Sequence, residues 1–154
     1  MKTLEKEPAG HDQAGAPDMD SIIGYKLRRA QIAVFQDFLD SFAAMRLRPA
    51  EFSVLSLIGG EPGRKQAEIA ESLGIKPANL VPLIDGIEKR GLAERRRGDA
   101  DRRTYRLYLT GDGERFVAQM YSVWRAHELR FVERLGGEAE RDRLIALLDR
   151  ILGE

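Results

Sequence analysis

After Gly91 the hydrophobic period of the chain changes. Leu92-Ala93-Glu94-Arg95-Arg96-Arg97 reads as an extended, charged run, and Gly98-Asp99-Ala100-Asp101 as a turn. Thr104 to Thr110 is rich in strand formers, with Tyr105, Leu107 and Leu109 alternating onto one face. On either side of this hairpin, apolar residues recur at helical spacing. Aromatic residues make up only 7% of the sequence, and Ala, Leu, Glu and Arg dominate it, a composition that favours helix. The chain is therefore expected to be mostly α, with a two-stranded β element set between helices.

Residues 1–19 mix Pro, Gly, Ala and charges without periodicity and read as a flexible arm. Asp20 and Ser21 are placed to cap a helix beginning at Ile22. Its apolar residues form two stripes, Ile23, Leu27, Ala30, Val34, Phe38 and Met45 on one and Ile32, Phe35, Leu39 and Phe42 on the other. A helix apolar on two sides needs two partners: its own domain and a second subunit. Pro49 opens the next helix, about 49–58, with Phe52, Leu55 and Leu57 or Ile58 inward, and Gly59-Gly60 stops it. A short helix around Ile69, Ala70 and Leu73 follows, then a tight turn at Gly74. Pro77 opens a further helix, with Leu80, Leu83, Ile84 and Ile87 on its apolar face. This is the spacing of a helix–turn–helix, and the hairpin directly after it makes a β-wing. Thr110 is placed to cap a long helix, about 111–135, marked by Phe116, Val117, Met120, Trp124, Phe131 and Leu135. Gly136-Gly137 breaks it before a last helix, about 138–152, with Leu144, Leu147, Leu148, Ile151 and Leu152. There is no internal repeat.

Several chemistries are excluded by composition. With no cysteine, disulfides, thiolate metal sites and thiol redox sensing are ruled out. Two histidines, His11 and His127, argue against a multi-His metal centre, and no cofactor motif is present. No stretch reaches the roughly 20 apolar residues of a membrane span. The N-terminus lacks the apolar core of a signal peptide, so a cytoplasmic protein is expected. No nucleophile–base set, phosphate-binding loop or metal cluster marks an enzyme.

The net charge is +0, but it is unevenly spread. Residues 89–106 hold Lys89, Arg90, Arg95, Arg96, Arg97, Arg102, Arg103 and Arg106 against Glu94, Asp99 and Asp101, a net +5 in 18 residues. A local basic patch on a neutral chain suggests a dedicated anion-binding surface. A winged helix used for protein contacts alone predicts a less basic hairpin.

The string Ile84-Asp85-Gly86-Ile87-Glu88-Lys89-Arg90-Gly91-Leu92-Ala93-Glu94-Arg95, followed by Asp99-Ala100-Asp101-Arg102-Arg103 and Leu107-Tyr108-Leu109-Thr110, resembles the MarR (multiple antibiotic resistance regulator) type of winged helix–turn–helix repressor. The resemblance covers about residues 22–152. It implies a homodimer in which the helices of 20–48 and 111–154 interlock between subunits. It also implies that the lobe of 49–110 presents a recognition helix and a wing to double-stranded DNA. Asp101 and Arg103 match the family's Asp-x-Arg, in which the carboxylate orients an arginine against the DNA. Arg102 adds a second guanidinium at the wing tip, while Arg95, Arg96 and Arg97 divide between phosphates and solvent.

One departure is Pro82, where family members often carry a polar or basic residue. Proline offers no base-reading group and removes one helix hydrogen bond. Base readout then leans on Lys76, Ala78, Asn79 and Lys89. Asn79 is the one amide able to pair bidentately with adenine, unless it simply faces solvent. The resemblance further implies a small-molecule effector held between the dimerisation helices and the DNA-binding lobe. Tyr25, Arg28, Phe52, Phe116, Met120, Trp124 and His127 are its candidate lining, although plain core packing is the favoured reading of each aromatic, of Met120 and of His127. The expected effector is aromatic or acidic, such as a phenolic acid or its CoA thioester.

Overall fold

The structure, a computed structural model, describes residues 15–98 and 104–154. Most of the expected N-terminal arm and the hairpin tip, with Asp101, Arg102 and Arg103, lie outside the described residues. The elements in chain order are α1 (Ile23–Phe42), α2 (Pro49–Gly60), β1 (Arg64–Lys65), α3 (Gln66–Ser72), α4 (Pro77–Lys89), β2 (Ala93–Arg97), β3 (Tyr105–Leu109), α5 (Gly111–Leu135) and α6 (Glu138–Leu152). No helix among the described residues is long and apolar enough to cross a membrane.

The chain divides into two compact units, residues 1–33 and 34–154. In the first, a turn of 3₁₀ helix at Met19–Ser21 precedes α1. The expected cap at Asp20 and Ser21 is corrected here. Asp18 caps the 3₁₀ turn, its Oδ1 accepting from the Asp20 amide at 3.2 Å, and α1 begins one residue later than expected. Asp20 instead pairs with Lys26 at 2.6 Å.

The second unit holds a single core. Phe42, Val54, Leu55, Ile58, Ile69, Leu80, Ile84, Ile87, Leu107 and Met120 are fully buried, so each helix of the lobe and the central strand contribute. Each such side chain stabilises by roughly 1.5–3 kcal/mol relative to exposure. Short helices are fixed at their starts by side chains. Glu51 accepts from the Arg48 amide at 2.9 Å and Glu68 from the Lys65 amide at 3.0 Å, each satisfying an amide at its helix start. The α3–α4 turn passes through Gly74 at φ +63°, a conformation that disfavours any side chain.

Two expectations change. The β2–β3 hairpin forms as expected, but the sheet gains a third strand, in the order β1-β3-β2, all antiparallel. The extra strand pairs Arg64 with Leu107 and Lys65 with Arg106, and at two residues it is too short to carry a period. Gly59 and Gly60 do not stop α2 but form its last turn, and Glu61 follows it. A Cβ on Gly59 would lie 3.3 Å from Leu109 Cδ1, so the glycine lets β3 approach the helix.

The start of α5 is the tightest junction. The Thr110 amide donates to the Leu92 carbonyl at 3.1 Å. The Thr110 hydroxyl donates to the Gly91 carbonyl at 2.5 Å and accepts from the Gly113 amide at 3.0 Å, capping α5 as expected. Gly113 is buried here, and a Cβ on it would sit 1.8 Å from the Leu92 oxygen. Gly113→Ala is therefore expected to cost about 3 kcal/mol, because the helix start must retreat from the sheet. Gly111→Ala, whose Cβ meets only the Arg115 guanidinium at 3.9 Å, serves as the control. Urea midpoints measure both; equal midpoints would show that this contact does not fix the helix.

Candidate nucleic-acid interface

Helix α4 buries Leu80, Ile84 and Ile87 and leaves its first turn outside. Lys76, Ala78 and Asn79 are all exposed there, and the Asn79 backbone amide donates to the Lys76 carbonyl at 2.9 Å. Pro82 lies on the exposed side, and the helix runs through it from Pro77 to Lys89. A proline here forgoes a hydrogen bond only at a position that water reaches.

The basic run resolves into different tasks. Arg106 donates to the Gly63 carbonyl at 2.8 Å, tying β3 to the turn before β1. Arg90 donates to the Met45 and Arg46 carbonyls at 2.8 and 3.2 Å and lies over the Phe116 ring at 5.0 Å. It thus joins the end of α4 to the turn after α1 and to α5. Arg96 lies over the Tyr108 ring at 4.3 Å and pairs with Glu94. Arg95 is held by Asp85, Glu88 and Gln66. Lys89 and Arg97 are exposed and have no ion-pair partner among the described residues. The spacing alone did not distinguish these roles, because the carboxylate and carbonyl partners come from other elements.

The expected effector residues fall in both units and are described within each. Tyr25 and Arg28 belong to the first unit, Tyr25 half-buried with the Arg29 guanidinium 5.8 Å from its ring and Arg28 exposed. In the second unit, Phe52 packs edge-on to Phe38, Phe42 and Tyr121 at 5.6, 5.8 and 6.4 Å. Phe116 is under Arg90, Met120 is fully buried, and Trp124 is 36% exposed. His127 is buried and packs against Phe38 and Phe131 at 5.7 and 5.1 Å. A groove of about 370 Å³ between α2, β3 and α5 is lined by none of these seven but by Gly59, Gly60, Leu109, Glu114, Val117, Ala118 and Tyr121. Among the described residues, no three His, Asp or Glu side chains come together to hold a metal ion.

Sequence reasoning missed a polar network between α1 and α5. Asp37 Oδ1 lies 2.7 Å from His127 Nδ1 and accepts from Arg130 Nη2 at 2.5 Å, while Oδ2 accepts from Arg130 Nε at 3.1 Å. Arg130 Nη2 also donates to Ser41 Oγ at 2.5 Å. The only signal was a lone aspartate inside an apolar stripe. The hydrogen bond from Arg130, with help from His127, holds the Asp37 carboxyl well below the usual carboxylate range, against the opposing effect of burial. A depressed folded-state pKa means this stabilisation is complete above the ordinary carboxylate value and is lost as pH falls below it. Wild type should therefore begin to lose its stability advantage over Asp37→Asn as pH drops below about 4, and the loss should continue as the pH is lowered further. Denaturant midpoints across that range measure it, and an unchanging difference would show that the ionised carboxylate contributes nothing.

The comparisons with known proteins agree with this architecture. A family model described as MarR family matches residues 47–104. A relative from Thauera aromatica, described as a regulatory protein for the hcr operon, is 30% identical over 154 residues, covering 98% of this chain and 92% of the relative. The transcriptional repressor CouR, solved bound to a 23-mer DNA duplex, is 42% identical with a TM-score of 0.84, covering 90% of this chain and 99% of that one. CouR bound to p-coumaroyl-CoA is 39% identical with a TM-score of 0.81, covering 92% and 99%.

Proposed function

This chain belongs to the MarR family of transcriptional regulators, and on that premise we propose that it is a ligand-responsive repressor, binding pseudo-palindromic operator DNA as a homodimer. The observation that carries the DNA reading is the division of α4, with Leu80, Ile84 and Ile87 buried while Lys76, Ala78 and Asn79 stand exposed on its first turn. In this reading Asn79 reads a base edge, and Lys76, Lys89, Arg96 and Arg97 meet phosphates, together with Arg102 and with Arg103 oriented by Asp101. Residues 49–110 are the DNA-binding lobe.

Residues 20–48 and 111–154 supply the dimer contacts. Support comes from α6, where Ile145, Leu147, Ile151 and Leu152 are between 47% and 67% exposed, more apolar surface than a lone subunit leaves open on one helix. On α1, Ile32, Phe35 and Leu39 are exposed likewise. The effector is an aryl carboxylate or its CoA thioester, a class supported by the p-coumaroyl-CoA bound to CouR. Within residues 34–154 its candidate contacts are Phe52, Phe116, Met120, Trp124 and His127. Ligand binding lowers DNA affinity, and by linkage DNA lowers ligand affinity by the same factor.

The test begins with a duplex selected by the protein from a random pool. Affinity for it should exceed that for a scrambled duplex and fall on the order of 10³-fold between about 50 and 200 mM salt. Light scattering should give twice the chain mass, and p-coumaroyl-CoA should release the DNA while the dimer persists. No selected sequence and a flat salt response would overturn the DNA reading. A monomer, or no response to p-coumaroyl-CoA or p-coumarate, would overturn the dimer or effector reading separately.

A further inference from the structure

We propose that Arg95 is a positioning residue of the DNA-binding lobe, and that the carboxylates of Asp85 and Glu88 raise DNA affinity by holding it. This rests on the DNA reading above and assigns it a mechanism.

Arg95 is the first of three consecutive arginines on β2, yet it points inward. Its side chain is 18% exposed, against 58% for Arg96. Nη1 donates to Asp85 Oδ1 at 2.7 Å and also to Glu88, while Nε donates to Gln66 Oε1 at 3.2 Å. One guanidinium on β2 therefore binds α4 twice and α3 once. The rigid fork of arginine suits such a tie, since its donors are fixed relative to one another. Glu88 completes it from the other side. Its second oxygen, Oε1, accepts the backbone amide of Arg95 at 2.7 Å. β2 is the edge of the sheet, so this amide would otherwise lack a partner. Glu88 thus fixes both the main chain of β2 and the side chain that reaches back to α4. These are charge-assisted bonds in a half-buried setting, stronger than neutral ones and less screened than surface pairs.

The charge balance makes the role distinctive. Arg95 with Asp85 and Glu88 carries a net negative charge, so this cluster repels phosphate rather than attracting it. Its benefit to DNA binding is geometric. It sets β2, with the exposed Arg97, at a fixed place beside α4, with the exposed Lys76 and Asn79. Plain electrostatics expects removal of a carboxylate from a DNA-binding lobe to tighten binding. Positioning expects the reverse.

The experiment measures affinity of Glu88→Ala, Asp85→Asn, Arg95→Met and the Glu88→Ala/Arg95→Met double variant for the selected and scrambled duplexes across a salt series. Arg97→Ala is the reference for a phosphate contact. We expect Glu88→Ala and Arg95→Met each to weaken binding to the selected duplex about tenfold, the scale of one charge-assisted hydrogen bond. The double variant should be no weaker than either single one. Asp85→Asn, at an exposed carboxylate whose loss leaves the core intact, should weaken it less but in the same direction. The slope of log affinity against log salt should stay at the wild-type value in these variants and become shallower in Arg97→Ala. Tighter binding by Glu88→Ala or Asp85→Asn, or a shallower slope in Arg95→Met, overturns the proposal and makes Arg95 a phosphate ligand. Wild-type protein that binds no duplex fails the DNA reading instead, a separate result seen before any variant is made.

Discussion

The Leu92 carbonyl accepts the Thr110 amide at 3.1 Å, and the Leu92 amide donates to Ile87 at 3.1 Å. That single residue binds the end of α4 to the beginning of α5 across the base of the hairpin. Only a glycine at position 113 allows the α5 backbone to come so close. Because α4, the sheet and α5 share this point, none can turn without moving the others. Arg90 repeats the principle at the other side of α4, where its guanidinium bonds two carbonyls of the turn after α1 and covers Phe116. Helix α4 is thus fastened on its strand side to the start of α5 and on its other side to the turn after α1. Under the proposed function, such coupled elements are what would let a bound effector bias DNA affinity.

The legibility of the chain follows from how far apart the cooperating residues lie. Pro77, Thr110 and Gly136-Gly137 announce their helix boundaries because caps and breakers act within a few residues. The strands β2 and β3 are legible for the same reason, through their alternation. β1 is not, since two residues acquire strand geometry only from β3 beside them. At Gly59-Gly60, local propensity suggested a stop, but α2 runs two residues further, with Gly59 close to Leu109 and Val117. On α5, the periodic stripe included Trp124, whereas His127 takes the buried place because Asp37, ninety residues earlier, supplies its partner.

The candidate interface was legible as a charge density but not as a set of roles. Eight basic residues in 89–106 signal an anion surface. Their spacing carries no trace of the partners that claim Arg90, Arg95 and Arg106, which are carbonyls and carboxylates brought in by the fold. Reading a basic run as uniform overstates the charge presented outward. The arginines that build the lobe and those that face out of it differ in burial, not in residue type.

The sheet itself has two open margins, and strands with open margins invite other chains to pair with them. One margin, β1, ends after two residues, too little for a stable foreign ladder. The other, β2, has an amide already claimed by Glu88 and carries Arg96 and Arg97 along its exposed end. A neighbouring copy approaching that margin in register would set guanidinium against guanidinium. The features that arrange this hairpin on the lobe therefore also disfavour joining of copies sheet to sheet in a concentrated solution of the protein.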